Sequence, residues 1–339
     1  MIIDSADLLE VARGYFHQEG ALDSQWLPLD ENLIHPHLRI WIENGFHGDM
    51  DWMERTLDKR ENPRAAFSQF SSICMIAIPY FKSESHKQSQ RNGISLYAQG
   101  RDYHKVVWKI LKRVFQRLKE LDSRLEGRWY CDTGPVSEKW LASQTDLGWI
   151  GKNTNLIRKG YGSYFFLGGL LTNLKAAPAK AARNHCGNCV RCITHCPTNA
   201  LIQPYQIDAR LCLSYQTIER KGDFNQELQS GDWMYGCDIC QTVCPWNRFA
   251  SESPFEDFQP RENYNWKYFL SLSEEAFLKE FEGSPIRRIG HSKFLKNLLF
   301  LLEAQEDIDS QTLCLVEKKC QHSNPQIQML ARKVVQKFN

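Results

Sequence analysis

The stretch that decides the reading is Cys186-Gly-Asn-Cys189-Val-Arg-Cys192-Ile-Thr-His-Cys196-Pro197. Two two-residue gaps, a three-residue gap and a closing proline make the spacing with which bacterial ferredoxins hold [4Fe–4S] clusters. Three close thiolates wrap three irons of one cubane, and the fourth, set off by the longer gap, turns to a second cubane. Cys237-Asp-Ile-Cys240-Gln-Thr-Val-Cys244-Pro245 is a second half of the same kind, but Met234 stands where its first cysteine would fall. Cys212, in the loop between the halves, is the replacement. The expected sets are Cys186, Cys189, Cys192 and Cys244 on one cluster, and Cys196, Cys212, Cys237 and Cys240 on the other. Paired Cys-x-x-Cys units also make structural zinc sites. Eight ligands in two crossed runs, each ending in Cys-Pro, favour iron and sulfur.

Outside this region lie only Cys74, Cys131, Cys314 and Cys320 of the 12 cysteines. Such crowding reads as metal ligation in a reducing compartment, not as a disulfide scaffold. The chain has 339 residues, enough for two ordinary domains or a large one with smaller ones. Charged residues make up 24% and hydrophobic ones 42%, which excludes a disordered chain. With 42 bases against 40 acids, bulk charge excludes a histone-like surface but leaves local patches open. No apolar run approaches the roughly 18–20 residues of a membrane helix. The start, Met1-Ile2-Ile3-Asp4-Ser5, carries no signal-peptide pattern, so a cytoplasmic protein without membrane contact is expected.

Working outward, residues 1–180 read as mixed α and β. Residues 35–58 have helical character, with Trp41, Ile42, Phe46 and Met50 near one face. Residues 72–80 are a continuous apolar run closed by proline, which suits a buried strand. Residues 102–125 form the best helix, with Val107, Leu111, Val114, Leu118 and Leu121 as its stripe and a solvated basic flank. Residues 128–131 and 164–171 read as further strands. A small-residue linker at 175–183 leads into the cysteine region, and 251–265 reads as a connector. Helical periodicity returns from 273, notably at 294–302 and 326–338. The expected division is 1–180, 181–250 and 251–339.

A ferredoxin needs little chain beyond its cysteines, so the preceding segment implies a second site fed by the clusters. Two stretches there are dense in polar and glycine residues: Tyr97-Ala-Gln-Gly-Arg-Asp-Tyr-His104, and Asp132-Thr-Gly-Pro-Val-Ser-Glu138 on through Gly148-Trp-Ile-Gly-Lys-Asn153. No G-x-G-x-x-G follows a strand, so a dinucleotide site is unsupported. Together with the crossed cysteine runs and Ser284-Pro-Ile-Arg-Arg288, these stretches resemble the epoxyqueuosine reductases over almost the whole chain.

The resemblance implies an α+β architecture: a nitroreductase-like α/β cobalamin domain, a ferredoxin-like double-cluster domain and a short, HEAT-like helical C-terminal segment. It implies an oxidoreductase that reduces epoxyqueuosine to queuosine at the wobble position of tRNA, the last step of queuosine biosynthesis. Electrons would pass through two [4Fe–4S] clusters to cobalamin, which would carry no protein histidine on cobalt. Asp132 is carried over as general acid, although Asp-Thr-Gly-Pro is also ordinary turn chemistry. Burial beside the corrin is expected to raise its pKa. Arg55, Tyr97, Lys152, Asn153 and Asp238 are the expected cofactor contacts. His104 is expected to be packed or hydrogen-bonded, and His195 to act behind the cluster ligands.

Tyr215, Gln216, Thr217, Glu219 and Arg220 could reach the anticodon stem-loop. Arg287, Arg288 and Lys293 lie in a segment, 283–302, with four strong bases and no acid, which points to phosphate. An electron donor such as ferredoxin or flavodoxin is expected, and a monomer. Two alternatives compete: a corrinoid reductive dehalogenase-like enzyme with a small substrate, and a ferredoxin-type electron carrier. The C-terminal bases and the missing export signal count against the first, and the large N-terminal half against the second.

Overall fold

The run at 72–80 forms a strand that is buried at every position from Ser72 to Pro79 and paired with a neighbouring strand along both of its edges. The computed structural model describes residues 4–222, 224–225, 228, 231–262 and 264–339. Its strands are β1 (Asp23–Pro28), β2 (Ser72–Pro79), β3 (Gly127–Tyr130), β4 (Trp149–Ile150), β5 (Leu156–Ile157) and β6 (Phe165–Thr172). Four of them make an antiparallel sheet in the order β1–β2–β6–β3, and β4 pairs with β5 separately. Ser72 lies opposite Thr172, with their hydroxyls 3.2 Å apart, and Pro79 lies opposite Phe165.

The helix Tyr103–Leu121 starts where the Asp102 carboxylate accepts the His104 N–H. Its buried stripe is Val106, Val107, Ile110, Leu111, Val114 and Leu118. Leu121, expected in that stripe, is 39% exposed, because the helix ends there and the chain turns away at Asp122. The helix lies against β6 at Gly168, where a Cβ would stand 2.7 Å from Val107 Cγ1, so any larger residue would push the two apart. Its basic flank is partly engaged: Arg113 pairs with Glu19, and Arg117 lies 3.5 Å over the Tyr15 ring. Both partners belong to the N-terminal helix Ser5–Gln18 or its cap, which the sequence reading passed over along with β1.

The expected helix at 35–58 is broken into Leu38–Glu43, Asp51–Arg55 and Leu57–Glu61. Gly45 and Gly48 between the pieces adopt φ of 67° and 58°, which ends helical pairing. A Cβ on Gly48 would sit 2.4 Å from the Tyr215 hydroxyl. The break therefore lets this segment meet the cysteine region.

Apolar packing divides into two cores. The first draws on residues between Leu8 and Leu174 and on Phe258. The second draws on the C-terminal helices, together with Ile94, Ala98, Ile218, Met234 and Tyr235. Phe258 belongs to the expected connector, which packs back on the first core: the Ser253 hydroxyl donates to the Pro79 carbonyl at 2.7 Å. Among the described residues between 185 and 247, only Ile218, Met234 and Tyr235 join either core. In the C-terminal part, helix Gly290–Ala304 packs on Pro325–Phe338, which in turn packs on Ser310–Lys319. Phe294 stands 5.2 Å from the rings of Phe269, Phe277 and Phe281. No helix among the described residues is long and apolar enough to cross a membrane.

Phe294 is 1% exposed, so Phe294→Ala should lower unfolding free energy by about 3–5 kcal/mol. The check is urea denaturation followed by far-ultraviolet circular dichroism, with the iron content of the folded variant unchanged.

Candidate functional site

The cysteine loops are shaped by the hairpin of β4 and β5. Lys152 Nζ donates to the Gly187 carbonyl at 2.7 Å, and Asn153 Nδ2 to the Cys240 carbonyl at 3.1 Å. Asn155 Nδ2 stands 3.9 Å from Cys240 Sγ, and the Asn184 side chain accepts the Cys186 N–H at 2.9 Å. Lys152 and Asn153 therefore hold the cysteine loops, where an outer cofactor rim was expected for them. His195 Nδ1 lies 2.9 Å from the Arg191 carbonyl, at the end of the helix Arg191–Thr194.

The eight thiols fall into two electrostatic neighbourhoods. Cys192 and Cys244 each feel Cys186 and Cys189. Cys237 feels Cys212 and Cys240, and Cys240 feels Cys212 and Cys196, with Cys192 as the link between the groups. Among the described residues, no three His, Cys, Asp or Glu side chains close on a single point, the arrangement one zinc ion needs. Cubane ligands stand further apart, because each thiolate takes its own iron.

Asp132 follows β3 with φ of 59°, a left-handed conformation that costs a non-glycine residue about 1–3 kcal/mol. Its N–H donates to both oxygens of the Glu138 carboxylate, at 2.9 and 3.0 Å, which holds that turn. The Asp132 side chain is set deep in the protein yet 62% exposed, so it lines an open recess. Lys139 is likewise exposed and enclosed, and it feels Asp132 on one side and Cys240 and Cys212 on the other. The recess thus lies between Asp132 and one group of cysteines.

Two neighbours act on Asp132. The Tyr103 hydroxyl donates to Oδ2 at 2.6 Å, and His104 Nε2 stands 3.5 Å from the same oxygen. His104 Nδ1 is 2.7 Å from Asp102 Oδ1, and the imidazole stacks on Tyr103 at 4.1 Å. Crowding by the protein pushes the Asp132 pKa up, but the nearby His104 and the bond from Tyr103 outweigh it, and the net shift is downward. This corrects the expected upward shift: the partners lie 29 and 28 residues back in the chain, and they favour the charged form. Burial would depress His104, but Asp102 and Asp132 outweigh that and raise its pKa to about 9. Burial and the Asp132 charge push Glu138 up to about 8. Tyr103, Lys139 and Glu138 had been given no role from sequence. The polar density of Tyr97–His104 and the Asp132–Glu138 stretch was the signal that could have found them.

Of the remaining expected residues, Tyr97 meets the Tyr103 ring edge-on at 6.0 Å, beside the recess. Asp238 is buried, accepts the Leu96 N–H at 2.7 Å and the Gln241 amide at 3.2 Å, and ties the cysteine loop to the first domain. Arg55 is exposed at the end of the helix Asp51–Arg55.

Tyr215, Gln216 and Thr217 are buried, not displayed for base reading. Tyr215 donates to Asp49 at 2.8 Å, Gln216 donates to the Arg210 carbonyl, and Thr217 accepts the Gly236 N–H at 2.9 Å. The helix Leu213–Ile218 turns this face inward to meet its neighbours.

The bases of 283–302 also find internal partners. Arg288 forms a two-point pair with Glu219, at 2.6 and 3.2 Å. Lys293 Nζ donates to the Ile218 carbonyl at 2.9 Å and to that of Arg220, satisfying the end of the helix Leu213–Ile218. Burial lowers the Lys293 pKa to about 8. The segment itself holds no acid, and Glu219 reaches Arg288 from 69 residues away. The long helix starts only at Gly290, after a 3-10 turn Pro285–Ile289, and Arg287 is exposed on that turn.

Residues 185–247 match the family model of a 4Fe-4S double cluster binding domain, and residues 60–133 match the model described as epoxyqueuosine reductase QueG, DUF1730. The epoxyqueuosine reductase of Escherichia coli K12 is 37% identical over 85% of this chain and 77% of its own length. That of Pseudomonas aeruginosa is 41% identical over 77% and 76%. A crystal structure of epoxyqueuosine reductase with an epoxyqueuosine-modified tRNA-Tyr stem loop superimposes with a TM-score of 0.88 at 25% identity, covering 98% of this chain and 91% of that one. The enzyme from Streptococcus thermophilus gives 0.84 at 27% identity, over 100% and 92%. The fold is thus α+β with an iron–sulfur double-cluster domain.

Two measurements test the site. Cys212→Ser should remove one cluster and leave the other visible by electron paramagnetic resonance. A raised His104 pKa means a stability contribution fully present below pH 6.5 and lost as pH rises through about 9. The urea midpoint difference between the native chain and His104→Gln should therefore be larger at pH 6 than at pH 9.5.

Proposed function

The chain belongs to the epoxyqueuosine reductase family, and on that premise we propose that it reduces epoxyqueuosine in tRNA to queuosine with Asp132 as the proton donor. Removing the epoxide oxygen as water and leaving an alkene takes two electrons and two protons. The observation that carries the reading is the recess itself, with a hydrogen-bonded carboxylate on one side, cluster cysteines on the other, and the Lys139 ammonium within the electrostatic reach of both.

The double-cluster domain supplies electrons one at a time. The ligand sets proposed are Cys186, Cys189, Cys192 and Cys244, and Cys196, Cys212, Cys237 and Cys240. Their grouping by mutual electrostatic influence supports this division. We further propose the divisions 1–180, 181–250 and 251–339, supported by the separation of the two apolar cores around the cysteine region.

The recess suits a large, partly apolar group. It is open, it is flanked by the Tyr97 and Tyr103 rings, and His104 Nε2 makes no well-aligned hydrogen bond. Cobalamin, when bound there, would supply a two-electron reductant. His104 is held between Asp102 and Asp132, which keeps it from serving as a cobalt ligand. Tyr97 would contact the group directly. Asn153, Lys152 and Asp238 would shape its floor through the loops they tie, and Arg55 would meet a polar edge.

At rest Asp132 is ionised and His104 protonated. Excluding water from the recess disfavours that charge pair, so the proton passes from His104 Nε2 to Asp132 Oδ2. Asp132 then delivers it to the departing oxygen, which as an alkoxide would leave poorly. Glu138, bonded to the Asp132 backbone, fixes the direction of delivery. Arg287, exposed beside the paired Arg288, and Arg220 would contact tRNA phosphate near the anticodon stem-loop. A ferredoxin or flavodoxin would be the donor, with the chain acting as a monomer in the cytoplasm.

Asp132→Asn should reduce turnover by about 10²–10⁴-fold and leave iron content unchanged. It should also lower the His104 pKa, which loses a carboxylate partner, as read by histidine NMR. Cells carrying only this variant should accumulate epoxyqueuosine in tRNA by nucleoside mass spectrometry. Normal queuosine levels there would remove Asp132 from the reaction.

A further inference from the structure

We infer that the surface around the Cys186, Cys189, Cys192 and Cys244 loops is the docking face for an acidic one-electron carrier protein. The inference rests on the proposed ligand sets and on electron delivery by a protein donor.

Charge is the first observation. From Leu147 to Ile207 the chain holds no Asp or Glu in 61 residues, yet it carries seven Lys or Arg. The whole chain has a net charge of only +2, and this is its longest run without an acid. Some of these bases are neutralised from elsewhere, as Arg158 is by Asp23 at 2.9 Å. Arg183 and Arg191 are not: both are exposed, and among the described residues neither has an acidic partner. The same holds for Arg248, which follows the second cysteine run. Arg183 lies three residues before Cys186, Arg191 lies next to Cys192, and Arg248 lies four residues after Cys244. Three unpaired guanidinium groups thus flank the ligands of one proposed cluster.

Apolar exposure is the second observation, and it falls among the same residues. Val190 is 44% exposed and Phe249 43%, and Arg248 stacks 4.6 Å over the Phe249 ring. Tyr205 is 46% exposed, and its hydroxyl accepts from Asn184, the residue that holds the Cys186 N–H. A few exposed apolar side chains with a charged rim are the anatomy of a small, transient protein interface. The basic rim would speed encounter with an acidic partner and be screened by salt.

RNA phosphate would also be drawn to these bases, but the geometry favours a protein. The modified base must reach Asp132, which faces the Cys212 and Cys240 side through Lys139. An electron donor needs only to approach the outer set. Each encounter moves one electron from the carrier to an oxidised [4Fe–4S]²⁺ cluster, giving [4Fe–4S]⁺. Two encounters and two protons convert one epoxide to an alkene and water.

The test uses the full chain with its clusters loaded, in native form and as Arg183→Glu/Arg191→Glu/Arg248→Glu. Stopped-flow bleaching of cluster absorbance is followed with reduced flavodoxin, an acidic carrier, and with photoreduced deazaflavin, a small neutral reductant. Flavodoxin affinity is measured separately by biolayer interferometry, and tRNA affinity by filter binding. The flavodoxin rate and affinity should fall by about tenfold or more at low salt, and the two chains should converge at high salt. Deazaflavin reduction and tRNA affinity should be unchanged. If the triple variant loses iron, the Arg→Gln series replaces it and should show a smaller loss of the same kind. An unaltered flavodoxin rate and affinity would overturn the docking face, and weaker tRNA binding with an unaltered flavodoxin rate would reassign it to RNA. A native chain whose clusters accept electrons from deazaflavin but not from flavodoxin would instead overturn the underlying reading of the donor.

Discussion

The proposed ligation by cysteine is the constraint on which the rest depends, because the described residues from 185 to 247 form almost no apolar core of their own. A polypeptide of that length, left to hydrophobic burial, would be marginal. The proposed metal–thiolate bonds would do for it what packed side chains do elsewhere. The neighbours then fasten the loops rather than fill them. The hairpin of β4 and β5 holds carbonyls of the loops, Asp238 reaches the Leu96 N–H, and Asn297 donates to the carbonyls of Thr217 and Met234. Both apolar cores are thereby joined to the cysteines through polar contacts, which have directions that burial lacks.

The same directional logic organises the recess. Asp132 departs from ordinary backbone geometry, and Glu138 takes up its N–H in return. The side chain is then offered to Tyr103 and His104, which come from the start of a helix seated on the sheet by way of Gly168. A carboxylate, an imidazolium and a second carboxylate stand in line, so charge at the site is set by three residues and not by burial alone.

Much of this was legible in the sequence, and the reason is locality. Cysteine spacing, the apolar run of β2 and the stripe of the helix Tyr103–Leu121 are patterns within a few turns of chain, so they can be read without a partner. The family resemblance rested on such local strings and is matched by relatives at 37–41% identity. What failed depended on distant partners. Residues 35–58 read as one helix until two glycines had to make room for Tyr215. Asp132 read as a buried acid with a raised pKa until His104 and Tyr103 arrived. Arg288 and Lys293 read as open to phosphate until Glu219 and the carbonyls of Ile218 and Arg220 met them. Tyr215, Gln216 and Thr217 carry polar atoms whose partners lie in other segments, so polarity alone misplaced them on the surface.

The crossed arrangement also orders events in time. With Cys244 proposed beside Cys186, the two ends of one ligand set are 58 residues apart in the chain. A ribosome adding roughly 5–20 residues per second needs about 3–12 seconds to make that interval. During it, the first three thiols of the set have emerged and their fourth partner has not been made. The nascent chain therefore passes through a stage in which Cys186, Cys189 and Cys192 can hold iron only incompletely. Delivery of a finished cubane to that set must follow synthesis of the second run, which comes with 95 residues of the chain still to be added.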